Sequence, residues 1–144
     1  MSDITTVILA AGNSTRFKAS KSKLVYPLCG LPIVSHIFNI AKKISGKNIL
    51  VVSNEKNKEE LKLILNISKL VVQKKQKGTA DAIEQVKKYV KSKNILILFG
   101  DTPLVEVKDI RKLVSKFKKS KAKASLIAFN TSEPHGYGLS LIHI

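Results

Sequence analysis

Short apolar runs alternate with stretches whose apolar positions recur every three or four residues, and the alternation continues along most of the 144-residue chain. Residues 4–9 are almost continuously apolar or β-branched, the pattern of a strand buried on both faces. From residue 10 to residue 22 the chain turns small, polar and basic without a hydrophobic period, which predicts a loop. Leu31-Pro32 then introduces Ile33, Ile37, Ile40, Ala41 and Ile44 at helical spacing, with Pro32 suited to a first turn and Gly46 to a stop. Next come a strand over residues 48–52, a helix over 59–65 carrying Leu61, Ile64 and Leu65 on one face, and a short strand over 70–72. A helix over 79–90 presents Ala82, Ile83, Val86 and Val90 on one side. Residues 95–99 are the most apolar run and are expected to form a central strand. A helix over 107–117, through Ile110, Leu113, Val114 and Phe117, and a strand over 124–129 follow.

Strands alternating with helices predict βαβ units with right-handed crossovers. The expected fold is a single α/β domain over 1–144: a three-layer, Rossmann-like open and mainly parallel sheet with helices on both faces. Ligands in such sheets sit outside the carboxyl ends of the strands. Chemistry is therefore to be sought in the loop after Leu9, the turn over residues 73–79, and Gly100-Asp101.

Composition changes this picture little. The hydrophobic fraction of 44% is divided into runs too short to span a bilayer, which takes about 18 or more apolar residues. The chain does not open like a secretory signal, so a cytoplasmic protein without membrane partners is expected. The single cysteine, Cys29, cannot close an internal disulfide and reads as a small, partly buried thiol. The formal charge of +16 raises nucleic acid as a partner. Against it, only Arg16 and Arg111 are arginines, and the lysines fall on solvent faces of helices, as at Lys87, Lys88, Lys91 and Lys93 and from Lys116 to Lys123. Aromatics, at 6%, form no stacking platform among them. No nucleic-acid partner is expected, although a positive field would help gather anionic nucleotides. His36, His135 and His143 are too scattered for a metal cluster or a hydrolase triad; His36 is expected on a helix surface.

Three constellations lie at the strand exits. Leu9-Ala10-Ala11-Gly12-Asn13-Ser14-Thr15-Arg16 is followed by Lys23: small residues let backbone amides approach a base, ribose or phosphate, and the two cations can neutralise a triphosphate. Neither a dinucleotide fingerprint nor a P-loop is present. On its residues alone the segment reads equally well as a surface loop with two cations. Gln73 precedes Gly78-Thr79-Ala80-Asp81-Ala82, where a carboxamide could meet a pyrimidine edge and a helix start could offer backbone and hydroxyl contacts; Thr79 as a simple N-cap is an equal alternative. Phe99-Gly100-Asp101-Thr102-Pro103-Leu104 places a carboxylate at an open backbone, suited to hold Mg²⁺ against phosphates or, alternatively, to cap a turn with Pro103.

Together these segments resemble the nucleotidyltransferases that activate sugar phosphates, whose first motif reads L-A-A-G-x-G-T-R-M with P-K downstream. Ser14 stands here for the second glycine, Phe17 for methionine and Ser22 for proline. The second segment is similar to the Q-x-x-x-x-G-T-x-x-A stretch, and the third to the Y-G-D-x-P-L motif, of bacterial N-acetylglucosamine-1-phosphate uridyltransferases. A fourth, Pro134-His135-Gly136-Tyr137-Gly138, resembles the family's G-Y-G-R turn near the sugar, with Leu139 replacing arginine. Beyond it the likeness ends, so residues 139–144 are expected to be a non-native tail on a longer natural protein, leaving the fold incomplete at its C-terminus.

The resemblance implies the nucleotide-diphospho-sugar transferase fold and uridylyl transfer from UTP to N-acetylglucosamine 1-phosphate, a step towards peptidoglycan and lipopolysaccharide precursors. It implies Mg²⁺ on Asp101, Arg16 on the leaving pyrophosphate and Lys23 on the phosphates. Uracil falls to Gln73 and Gly78 with Thr79. Leu9, Ala10, Ala11, Gly12, Phe99 and Gly100 line the substrate site, with Gly138 near the sugar. A nucleotidyltransferase for another sugar phosphate, a methylerythritol phosphate or a molybdenum cofactor, an inactive nucleotide-binding fragment, and a lysine-rich nucleic-acid module remain the alternatives.

Overall fold

A computed structural model describes residues 3–13, 17, 21–75 and 77–133. The chain divides into two compact units, Met1–Arg111 and Lys112–Ile144.

The first unit is built on strand β1, Ile4–Leu9. Four of its residues, Thr5, Thr6, Val7 and Ile8, are fully buried, as the two-sided apolar pattern requires. Its two threonines lose no hydrogen bonds by this. Thr5 Oγ1 pairs with Ser92 Oγ at 2.7 Å and Thr6 Oγ1 with Ser45 Oγ at 2.6 Å, on opposite faces of the strand. A hairpin follows the loop, formed by β2, Pro27–Leu28, and β3, Leu31–Pro32. Its turn residues Cys29 and Gly30 both have positive φ, 48° and 80°, as a tight antiparallel turn demands. Helix α1, Ile33–Ser45, then starts directly after Pro32. Sequence periodicity does not reveal this hairpin, because each of its strands is only two residues long. Cys29 is exposed at its tip rather than partly buried. His36 lies half-buried on α1, where its Nε2 donates to the Leu28 carbonyl at 2.8 Å and ties the hairpin to the helix.

The remaining elements of this unit are β4, Ile49–Ser53; helix α2, Lys58–Leu65; β5, Val71–Val72; helix α3, Thr79–Val86, continued by a 3-10 turn over Lys87–Tyr89; and β6, Asn94–Phe99. The sheet order is β5-β4-β1-β6 with every neighbouring pair parallel, Leu9 lying opposite both Val52 and Phe99. Helices cover both faces. Side chains alternate across a strand, and Thr6 meets α1 through Ser45 while Val7 packs with Ala82 and Val86 of α3. Each aliphatic side chain fully buried in this layer contributes about 1.5–3 kcal/mol relative to exposure. The expected three-layer, mainly parallel α/β architecture is present.

Residues 95–99, expected at the sheet centre, instead form its edge among the described residues. Leu96 and Leu98 are buried, whereas Ile95 and Phe99 are 40% and 48% exposed. Apolarity alone does not separate a central strand from an edge strand covered on one face. The centre is β1, flanked on one side by β4 and on the other by β6, so the chain leaves β1 in opposite directions and creates a topological switch point at its carboxyl end.

Helix α4, Val107–Lys119, begins within the first unit, where Ile110 is buried, and continues into the second. Residues 121–133 of the second unit have no regular structure, and the strand expected over 124–129 does not form. Leu126, Ile127 and Phe129 are exposed. An apolar run becomes a strand only when its amides and carbonyls join a ladder, and residues 124–128 have no ladder partner among the described residues.

Candidate active site

Three strand exits converge at the switch point around a pocket of about 280 Å³. Leu9, Ala10, Ala11 and Gly12 contribute one wall, Gln73, Gly78, Thr79 and Ala82 another, and Lys23, Leu24, Phe99 and Asp101 the rest. Leu24, which also lines the pocket, was not among the residues singled out from the sequence, whereas Ala82 was expected on the apolar face of the helix that follows Gly78. Gly100 stays behind the wall: its amide donates to the Leu9 carbonyl at 2.9 Å, and a Cβ there would stand 3.1 Å from that oxygen. A larger residue at this position would require that carbonyl to give by a few tenths of an ångström. Arg16 and Gly138, with the rest of the 134–138 turn and residues 139–144, lie outside the described residues.

The Ala10-Ala11 backbone is held from behind by two asparagines that the sequence reading did not identify. Asn57 Nδ2 donates to the Ala10 carbonyl at 2.8 Å and Asn54 Nδ2 to the Ala11 carbonyl at 3.0 Å. The two also bind each other reciprocally, each backbone amide donating to the other's side-chain oxygen, at 3.0 and 2.9 Å. Both are buried, and the Ala10 amide is bonded to the Val52 carbonyl at 2.8 Å. A stretch of buried irregular backbone needs such partners, and their presence sets which way the loop faces. The one available signal was two asparagines three residues apart immediately after an apolar strand. Beside them, Lys58 Nζ lies 2.7 Å from Glu55 Oε2, and that hydrogen bond and charge hold the Glu55 carboxyl below its ordinary value.

Lys23 opens a 3-10 turn, Lys23–Val25, started by Ser22, whose Oγ accepts from the Leu24 amide at 3.4 Å. Its ammonium lies 2.6 Å from Asp101 Oδ2, across 78 residues of sequence. Both side chains are more than a third exposed, so solvent screens the pair and its contribution to stability is small. Its importance is positional: a cation and a hard oxygen ligand stand side by side at the pocket mouth. Asp101 lies within a turn in which the Thr102 amide and hydroxyl both donate to the Phe99 carbonyl, at 3.3 and 2.9 Å.

On the opposite wall, Gln73 is buried to 4% exposure, its amide donating to the Ser53 carbonyl at 2.8 Å. Its Nε2 donates to the Gly78 carbonyl at 3.2 Å and to Asp81 Oδ2 at 2.6 Å. Gly78 is the N-cap of α3, with φ 100° and ψ −176°, and Thr79 is the first helical residue rather than the cap. That backbone region is essentially open to glycine alone.

A pocket at the switch point of an open parallel sheet, with cation and carboxylate paired at its mouth, suits the handling of nucleoside triphosphates, and comparison with known proteins agrees. The chain belongs to the MobA-like NTP transferase domain family, whose model matches residues 6–142. It is 41% identical over 138 residues to the bifunctional protein GlmU of Buchnera aphidicola subsp. Schizaphis graminum, covering 94% of this chain and 30% of that protein. To GlmU of Campylobacter fetus subsp. fetus it is 36% identical over 142 residues, covering 96% of the chain and 32% of that protein. The chain thus spans about 30% of the length of these relatives. Among solved structures, Rv0371c from Mycobacterium tuberculosis H37Rv shares the fold, with a TM-score of 0.70 at 19% identity over 83% of this chain and 63% of that one.

Proposed function

We propose that this chain binds UTP and transfers its uridylyl group to N-acetylglucosamine 1-phosphate, forming UDP-N-acetylglucosamine and pyrophosphate. The observation that carries the reading is the convergence of Gln73, Lys23 and Asp101 on one pocket from exits far apart in sequence. In this reading Gln73 and Gly78 meet the uracil edge, with Thr79 beside them. The Leu9–Gly12 backbone supports the nucleoside, and Lys23 and Arg16 neutralise the phosphates, Arg16 on the leaving pyrophosphate. Gly138 belongs to the sugar side.

Asp101 fits Mg²⁺ as a single hard-oxygen ligand. Among the described residues no group of three or more acidic, histidine or cysteine side chains gathers to form a cage, and Mg²⁺ is commonly held by one or two carboxylates with substrate phosphates and water completing the shell. When bound, the ion would offset charge that builds up on the phosphates. The chain's own contribution is alignment. The sugar phosphate oxygen attacks the α-phosphorus in line, pyrophosphate leaves, and no covalent intermediate with the protein forms. Binding requires the Lys23–Asp101 pair to exchange partners, the ammonium turning to phosphate oxygens.

The test is pyrophosphate release from UTP and N-acetylglucosamine 1-phosphate, alongside Mg²⁺-dependent UTP binding. Asp101→Ala is expected to reduce turnover about a hundredfold or more, the usual scale for losing a preorganised electrostatic contact. UTP binding indifferent to Asp101→Ala, accompanied by salt-sensitive binding of duplex DNA, would instead favour a nucleic-acid module. Turnover of another sugar phosphate in preference to N-acetylglucosamine 1-phosphate would reassign the acceptor.

A further inference from the structure

We infer that Asp81 is a positioning residue that locks the Gln73 carboxamide in one orientation, so that the pocket meets the nucleobase with a hydrogen-bond acceptor and selects a base bearing a ring N–H. The inference rests on the uridine reading of the pocket and adds the means by which the base is chosen.

The orientation follows from the partners. Gln73 has one donor end and one acceptor end, and the two are interchangeable by rotation unless its neighbours distinguish them. Here both neighbours can only accept: the Gly78 carbonyl at 3.2 Å and the Asp81 carboxylate at 2.6 Å. A flipped amide would bring its oxygen against two other oxygens. Nε2 is therefore fixed toward α3, with both of its hydrogens engaged. Asp81 lies in the first turn of α3, where the helix N-terminus favours negative charge, and a charged acceptor makes the stronger of the two bonds.

Oε1 is left as the end of Gln73 that is free to meet a ligand. The residue lines the pocket, and Oε1 receives no hydrogen bond from the described residues. An acceptor held in this way takes a donor. Uracil presents N3–H at its pairing edge, whereas cytosine presents an unprotonated N3 there, so the same oxygen attracts one base and repels the other. Uracil and thymine are alike at this edge, and the device does not separate them. Without Asp81 the carboxamide can rotate, and a cytosine can turn Nε2 toward itself.

The experiment titrates UTP and CTP, each with Mg²⁺, into the unaltered chain and into Asp81→Leu and Asp81→Asn, with thermal melts confirming that each is folded. The unaltered chain is expected to prefer UTP. Asp81→Leu, similar in size but without an acceptor, should lower that preference about tenfold, chiefly through weaker UTP binding, as expected for one lost charge-assisted bond. Asp81→Asn, whose Oδ1 can still accept from Nε2, should keep most of the preference. Parallel loss of both nucleotides, or an undiminished UTP preference in Asp81→Leu, overturns the inference and leaves the uridine reading standing. An unaltered chain that does not prefer UTP overturns the reading and the inference together. Should Asp81→Leu fail to fold, the unaltered chain still decides: the Gln73 side-chain NH₂ resonances should exchange slowly with solvent and remain protected when UTP binds, and rapid exchange rejects the lock.

Discussion

Gly78 holds a backbone conformation, φ 100° and ψ −176°, that side-chain-bearing residues scarcely enter. A Cβ added there meets nothing within 4 Å, so the cost of Gly78→Ala is conformational and not steric. Urea unfolding should show a loss of about 1–3 kcal/mol, the range for such local strain, and UTP affinity should fall with it because the Gly78 carbonyl helps fix Gln73. Residues of this kind were legible in the sequence. Gln73 and Asp101 follow closely on β5 and β6, Gly78 ends the turn that leaves β5, and Lys23 stands at the far end of the loop that leaves β1; open sheets bind ligands at such exits. Asn54, Asn57 and Asp81 were not, because each acts on another part of the chain: the asparagines bond carbonyls 43 and 47 residues away, and Asp81 binds an amide eight residues back. Apart from the spacing of the two asparagines after an apolar strand, nothing local marks a side chain whose role is to satisfy a partner elsewhere in the chain.

At the scale of elements, the turn between β4 and α2 works as a bracket on the end of β1. Its two asparagines bind each other as well as the Ala10 and Ala11 carbonyls, so their contributions are coupled. Asn54→Ala and Asn57→Ala should each destabilise the protein by about 1–3 kcal/mol, since a buried carbonyl is left without its donor. The double variant should lose less than the sum, by about 0.5–3 kcal/mol of interaction energy. Urea titrations of the four proteins complete the cycle, and strict additivity would show the bracket to be two independent contacts. Elements with a long apolar period, such as α1 and α4, were readable from sequence because their spacing repeats over several turns. The hairpin over β2 and β3 escaped because two-residue strands carry no period. The edge position of β6 escaped because an apolar run records burial without recording which neighbours supply it.

For the molecule as a whole, the sequence carries a formal charge of +16, and the proposed ligand is a polyanion. Such a field concentrates anionic ligands near the surface and is screened over about 8–10 Å at ordinary ionic strength. The apparent affinity for Mg-UTP should therefore weaken several-fold between about 50 and 500 mM salt, measured by calorimetry, while the preference for UTP over CTP stays constant. A preference that collapsed with salt would mean that bulk charge, not Gln73, discriminates between bases. The sheet order carries one more consequence, for how the protein is made. β1 is translated before β6, which closes one of its flanks only about 90 residues later. At about 5–20 residues per second, the nascent chain carries the bare edge of its most buried strand for roughly 5–18 s. Over that interval this edge of β1 is open to pairing with a neighbouring polypeptide, as an unpaired strand edge is.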